Sequence, residues 1–474
     1  MKQHVSLVVV ALVAGCTVGP DYKRPDAPTA AAFKEAPPEG WKLSQPIDSL
    51  PKGAWWTIYH DPTLDQLESQ VALSNQNIKS FEAQYRQAQA IVDEARSQEW
   101  PTIGLTADAT RSRSSSGSSS SSAVNHRART QFTGEATASW DLDLWGKIRR
   151  QVESDVAASQ VSAADLANAT LSAEETLAND YFQLRFQDAL TQLLTDTVKA
   201  DEEALRITQN QYAAGTTAPS DVAQAETVLA AARAELIAAG IQRQSFEHAI
   251  AVLTGQPPAA LTIPPGTLAN EVPNVPAGLP STLLERRPDI ASAERTMAEE
   301  NALIGVAVAA YYPDVSLSGD YGFIGGNPLG KLFRAANRVW SLGANASETL
   351  FDAGERGAAV KAAEATYDKS VADYRQTVLT AFQQVEDELS SLRILEKQAA
   401  AEAEAVRAAQ RSLDIALNEY RAGTVAYTTV VTAQTALLSD QQSELQVRES
   451  RMVASATLVA ALGGGWSTDE LAKK

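Results

Sequence analysis

Few side chains in this 474-residue chain are set up for chemistry. There is one thiol, Cys16, and there are four imidazoles, His4, His60, His126 and His248. No two of these stand at metal-ligand spacing, and a single cysteine cannot close an internal disulfide. Ser/His/Asp, Cys/His and phosphate-loop patterns are absent. Carboxylates are plentiful, with 58 Asp and Glu against 40 Lys and Arg. They fall on segments that read as helix surfaces, where a solvated face is the default. The expectation is a chain that is not an enzyme and holds no metal. The formal charge of −18 argues against a nucleic-acid partner, because phosphate binding needs a basic face. An acidic surface or lumen favours cations over anions.

Cys16 is set apart by what precedes it. Lys2 and His4 lead into an apolar run from Val5 to Val13, a short n-region and h-region of the kind found in signal peptides. The run ends Val13-Ala14-Gly15-Cys16, which resembles the bacterial lipoprotein box. That resemblance implies a diacylglycerol thioether and an N-acyl chain on Cys16, and no other cofactor. Thr17 stands where an aspartate would retain the lipoprotein in the inner membrane, so the outer membrane is the expected address. Acyl chains anchor a protein but do not make a pore. The stretch from Gly19 to Pro51 is rich in Pro, Ala and acidic residues and reads as extended and irregular.

The rest of the chain is a duplication. Leu205-Arg206-Ile207 and Asn210-Gln211-Tyr212-Ala213-Ala214-Gly215-Thr216 return as Leu413-Asp414-Ile415 and Asn418-Glu419-Tyr420-Arg421-Ala422-Gly423-Thr424. Gly146 and Gly354, and Gly255 and Gly463, keep the same offset. Trp100-Pro101 and Tyr312-Pro313 stand four residues further apart, so one loop differs in length. This predicts a signal peptide over 1–15, an N-terminal segment over 16–63, a first repeat over 64–255, a linker over 256–282, a second repeat over 283–463 and a tail over 464–474. Each repeat opens with an amphipathic helix, Leu64 to Glu99 or Pro288 to Ala310. An aromatic-proline break, two alternating segments, a very long helix, a turn and a return helix follow.

The alternating segments suit a membrane wall. Ile103, Leu105, Ala107 and Ala109 alternate with Thr102, Thr106, Asp108 and Thr110. Phe132, Ala136, Ala138 and Trp140 alternate with Gln131, Thr133, Glu135, Thr137 and Ser139. In the second repeat Val315, Leu317, Tyr321 and Phe323 alternate with Ser316, Ser318 and Asp320, and Trp340, Leu342, Ala344 and Ala346 alternate with Ser341, Asn345 and Ser347. Period-two patterning over about ten residues matches a tilted transmembrane strand. Trp100, Trp140, Trp145, Tyr311, Tyr312 and Phe351 fall at the segment ends, where interfacial aromatics sit in membrane barrels. Ser112 to Ser122 is nearly all serine and reads as a loop. The smallest bacterial barrels have about eight strands, so four must be joined by other copies; three copies supply about twelve.

The helical parts suit a tunnel. From residue 147 to Tyr212 there is neither proline nor glycine. From 355 to Tyr420 there is no proline, and Gly357 lies in the first turn. Such a run spans roughly 100 Å at ~1.5 Å per residue. Phe382, Val385, Leu389 and Leu392, like Leu177, Tyr181 and Leu184, step at coiled-coil spacing and read as packing. Both runs end at Tyr-x-x-Gly-Thr, with Gly215 and Gly423 placed to take a left-handed helix stop. Pro219-Ser220-Asp221 starts the return helix, with Ser220 or Asp221 as its cap.

With strands, hairpins and repeat in place, the chain resembles the outer-membrane efflux proteins of the TolC/OprM class, in their lipoprotein branch. Cys16-Thr17-Val18-Gly19-Pro20-Asp21-Tyr22, Leu283-Leu284-Glu285-Arg286-Arg287-Pro288-Asp289-Ile290, Asn301 to Ala307, Asp143-Leu144-Trp145-Gly146 and Phe351-Asp352-Ala353-Gly354 carry the likeness. It implies an α+β membrane protein: a homotrimer with a 12-stranded outer-membrane β-barrel continued by a long periplasmic α-helical barrel. It implies a periplasmic membrane-fusion adaptor meeting the tips at Gly215, Thr216, Gly423 and Thr424. An inner-membrane proton-driven pump of the RND type, membrane lipid around the barrel, and export of drugs or other toxic solutes complete the expectation. It implies further that Tyr420 and Asp221 latch the tip closed. Val425 replaces a gating arginine common in the class, and Thr429 and Thr432 stand where its acidic aperture ring would be. A type I protein-secretion channel and a lipid-anchored coiled-coil scaffold without a pore are the alternatives.

Overall fold

The computed structural model describes residues 17–30, 32–35, 53–113, 128–273, 275 and 283–468. Residues 1–15, where a signal peptide is expected, Cys16, most of the serine-rich run and the last six residues lie outside the described residues. The elements in chain order are α1 (Pro62–Ser74), α2 (Gln76–Ser97), β1 (Thr102–Ser112), β2 (Arg129–Leu142), α3 (Lys147–Ala213), α4 (Pro219–Leu253), α5 (Pro288–Ala309), β3 (Asp314–Gly326), β4 (Arg338–Ser347), α6 (Glu355–Arg421) and α7 (Tyr427–Ala461). A single helical turn, Leu283–Arg286, precedes α5. Two compact units share these elements.

The first unit comprises Met1–Pro25, Arg86–Val161 and Ala293–Asp373. Its centre is one antiparallel sheet of order β1-β2-β3-β4. Directly paired residues share a face, so the register sorts the side chains. Ile103 faces Ala138, which pairs Gly319, which pairs Leu342. Leu105, Ala136, Tyr321 and Trp340 make the next row. The other face carries Thr106, Glu135 and Gly322, then Thr137, Asp320 and Ser341, with Ser341 Oγ donating to Asp320 at 2.7 Å. On the apolar face Ile103, Leu105 and Leu342 are each more than three-quarters exposed. Such a row on a single chain is made for lipid rather than water. At the sheet's end Trp145 stacks on Tyr312 at 4.8 Å and donates to the Pro313 carbonyl, while Trp140 donates to the Glu99 carbonyl.

The second unit comprises Asp26–Tyr85, Ser162–Ser292 and Tyr374–Lys474. Leu177, Tyr181 and Leu184 on α3 are fully buried, as the spacing predicts. On α6 the buried stripe is Tyr374, Val378, Ala381, Val385, Leu389 and Leu392. Phe382 lies one position beside it and is half-buried; the buried stripe steps by four, three, four, four and three and so passes through Ala381. No described helix is long and apolar enough to cross a membrane.

Two expectations are corrected. The opening helix breaks at Asn75, whose backbone is extended (φ −62°, ψ 123°). Its side chain accepts from the Asn77 and Ile78 amides, starting α2, and donates to the Leu253 carbonyl. Neither Ser220 nor Asp221 caps α4. Pro219 occupies the first turn, and the cap position is Ala218 with no side-chain bond.

The duplication is exact in length for the long elements: α3 and α6 each have 67 residues, and α4 and α7 each have 35. It also repeats a joint with different chemistry. Gly255 and Gly463 end the return helices at positive φ, and a Cβ there would lie 2.2 Å from the Ser74 carbonyl oxygen or 2.0 Å from that of Arg286. The next residue in each case, Asn75 or Arg287, donates its side chain to the helix-end carbonyl of Leu253 or Ala461. One geometry is thus satisfied by an amide in one half and a guanidinium in the other.

Candidate gating tip and buried carboxyl layer

Both long helices stop in the same six-to-one turn. Thr216 N donates to the Gln211 carbonyl and Gly215 N to that of Tyr212; Thr424 N donates to Glu419 and Gly423 N to Tyr420. Gly215 (φ 73°) and Gly423 (φ 75°) take the left-handed conformation that this motif uses. The Thr216 and Thr424 hydroxyls repeat the amide bonds, at 3.0 and 2.9 Å. All four residues are exposed, and a Cβ added to either tip glycine would meet nothing within 4 Å. The tips are therefore stiffened from within and bare outside.

Tyr420 and Asp221 are brought together, but through a third residue. Thr217 Oγ1 donates to Asp221 Oδ2 at 2.5 Å and lies 3.5 Å from the Tyr420 hydroxyl. With the threonine proton given to the carboxylate, the tyrosine donates to threonine. Sequence reasoning misses Thr217; its position between the tip glycine and Asp221 is the available signal. Tyr420 also packs on Tyr427, ring centres 5.2 Å apart, at the edge of a core of Ala225, Leu413, Ala416, Val430 and Ala433. Thr429 and Thr432 are exposed on α7, and the Thr432 hydroxyl is bonded back to the Thr428 carbonyl.

One acid stands behind the tip. Asp201 on α3 is 3 % exposed and accepts from Gln434 of α7 at 3.0 Å. Burial pushes its carboxyl up to about 6, against the pull of the Gln434 bond. Burial, then Asp201, Tyr420 and Asp221, push the Tyr427 hydroxyl up to about 12.

A second acidic group lies further along the same unit. Glu68 of α1 is 0 % exposed, and neither carboxyl oxygen has a partner. Burial, then the neighbouring Glu174 and Asp65, push it up to about 10, so it is protonated at neutral pH. Glu174 of α3 accepts from the buried Trp55 indole at 3.0 Å, and burial pushes it up to about 7. Periodicity hides Glu68, because a charged residue on an amphipathic helix reads as surface.

Comparison with known proteins decides the family. The model of the outer membrane efflux protein family matches residues 67–256 and 279–464. The chain belongs to that family. It is 31% identical to the antibiotic efflux pump outer membrane protein ArpC of Pseudomonas putida, over 98% of this chain and 96% of that one. It is 32% identical to the pyoverdine export outer membrane protein OpmQ of Pseudomonas aeruginosa, over 89% of each. The solved outer-membrane channel OprN superposes with a TM-score of 0.87 at 31% identity, covering 95% of this chain and all of OprN. The fold is that of these channels, α+β, in which the sheet is one part of an outer-membrane barrel and the long helices belong to a periplasmic helical barrel. The chain is the outer-membrane exit channel of an efflux system.

Proposed function

We propose that three copies of this chain assemble into one duct, lipid-anchored through Cys16, which receives small toxic solutes from a periplasmic adaptor and a proton-driven inner-membrane pump. The observation that carries the assembly is the open sheet. In the order β1-β2-β3-β4 each outer strand has one unpaired edge, and a membrane-crossing strand cannot leave its backbone groups unpaired in lipid. Joining β4 of one copy to β1 of the next satisfies both edges, and three copies give about the twelve strands of a closed barrel. The two repeats, 64–255 and 283–463, supply one strand pair and one long hairpin each. Drug-like cargo follows from the antibiotic named for ArpC; OpmQ is named for pyoverdine export, so the duct passes what its pump delivers.

The bare tips at Gly215, Thr216, Gly423 and Thr424 suit docking by the adaptor, and the Tyr420–Thr217–Asp221 chain suits a latch. Neutral Thr429 and Thr432 leave the aperture without an acidic ring at that level. The test is native mass spectrometry and planar-bilayer recording of the purified protein. Three chains per particle with discrete conductance steps are expected. A stable single chain without conductance would refute the duct.

A further inference from the structure

The N-terminal segment lies in a built seat. Val18 N donates to the Trp145 carbonyl at 3.1 Å, at the junction of β2 and α3. Arg150 of α3, its side chain 4 % exposed, donates Nε to the Val18 carbonyl at 3.1 Å. Its Nη2 reaches the Gly19 carbonyl at 3.3 Å and Asp21 Oδ1 at 3.0 Å, and its Nη1 reaches Glu153 at 2.7 Å. On the other side, Asn301 of α5 donates to the Pro20 carbonyl at 2.9 Å, and Tyr22 donates to Glu294 at 2.6 Å.

The fit is tight at two glycine contacts. A Cβ on Gly19 (φ +92°) would lie 2.4 Å from Gly305 Cα, and one on Gly146 would lie 2.8 Å from Thr17 Cγ2. The direction is defined as well. Thr17 meets the strand end of α3, Gly19 meets α5 at 305, and Tyr22 meets it eleven residues earlier at 294. The segment therefore runs along α5 away from β3, with its first residue nearest the sheet. A buried guanidinium spending three bonds on an N-terminal segment is more than loose covering needs, because leaving it unpaired is costly.

We infer that residues 17–22 are a strap whose seating between α3 and α5 holds the lipid-bearing end at the strand–helix junction, and that this placement, beyond lipidation itself, delivers the sheet into the membrane. The inference rests on the lipid reading of Cys16. A lipid one residue from a fixed point enters the bilayer beside the strands. On a slack tether the same lipid holds the chain at the membrane without registering the sheet to it, because effective concentration falls as a linker lengthens. Arg150, Gly19 and Gly305 are positioning residues in this scheme.

Two variants of the full-length chain test it, read by intact mass for lipid and by folded trimer in the outer-membrane fraction. Gly19→Ala forces the strap off α5 while leaving α3 and α5 unchanged. A flexible Gly-Ser insertion between Thr17 and Val18 leaves residues 18–22 in the seat, preserves the residues around Cys16, and frees the lipid together with Thr17. Both variants are expected to be lipidated, with folded trimer severalfold below wild type. A lipidated insertion variant with wild-type trimer would overturn the inference, whatever Gly19→Ala does, since the strap would then be only structural. Wild-type protein without lipid mass would instead remove the lipid reading beneath it.

Discussion

Glu68→Gln gives the largest effect for the smallest change. The glutamate is fully buried, both oxygens lack partners, and its carboxyl is pushed up to about 10 by burial, then by Glu174 and Asp65. In the unfolded chain it ionises near 4.5. Between these values the native state keeps a proton that the unfolded state releases, so raising the pH favours unfolding. The slope is about 1.4 kcal/mol per pH unit per chain. From pH 7 to 9 this costs up to roughly 2.7 kcal/mol per chain. Glu174, pushed up to about 7, has spent most of its own contribution below that window. Glutamine is neutral in both states, so the variant loses the Glu68 slope. Its amide must sit where no partner is available, a constant cost of about 1–3 kcal/mol. Thermal unfolding by circular dichroism at a series of pH values separates the two effects. Glu68→Gln should melt below wild type near pH 5, and the difference should shrink or reverse by pH 9. Parallel curves between pH 7 and 9 would refute the reasoning, because they would mean that Glu68 is ionised in the folded protein.

Other expectations follow from single contacts. Tyr420→Phe removes the donor to Thr217, and Thr217→Val removes the bridge to Asp221; each should raise opening frequency in planar bilayers, and no change in either would count against a latch. Gly463→Ala should cost more than 2 kcal/mol, roughly, because a Cβ meets the Arg286 carbonyl at 2.0 Å and φ is +95°. Gly215→Ala, with open space around it, should cost only the ~1–2 kcal/mol of the left-handed backbone; equal melting shifts for the two would contradict the steric account. Trp55→Phe deletes the donor that holds Glu174 down. It should destabilise the protein more at pH 8 than at pH 5, as the same melting series would register.

Much of the fold is legible in the sequence because it rests on local, periodic physics. Alternation marks all four strands, and the structure extends their ends, β2 by two residues on either side of Gln131–Trp140. The absence of proline marks the long helices, and the glycines mark their stops, because only a positive-φ residue ends a helix that way. The offset between repeats points to Gly255 and Gly463, though not to the carbonyl that each must admit. The break at Asn75 is not legible: the apolar period continues through it, and the break depends on the Leu253 carbonyl, 178 residues away.

The tip shows where sequence stops and tertiary structure begins. Tyr420 and Asp221 are singled out by the family resemblance, but whether they touch depends on how two distant helix ends pack, and packing places Thr217 between them. The same holds for Arg150 and for Glu68. By its letter each is a charged residue on a helix, which by default faces water. Burial is a property of what other segments lay over that face, and it turns one into a clasp for the N-terminal strap and the other into a neutral acid. The sequence by itself determined the address, the repeat, the strands, the helices and their stops, because each depends on neighbours in the chain. Only the tertiary structure decided which polar groups leave water, and therefore which of them carry a bond or a proton.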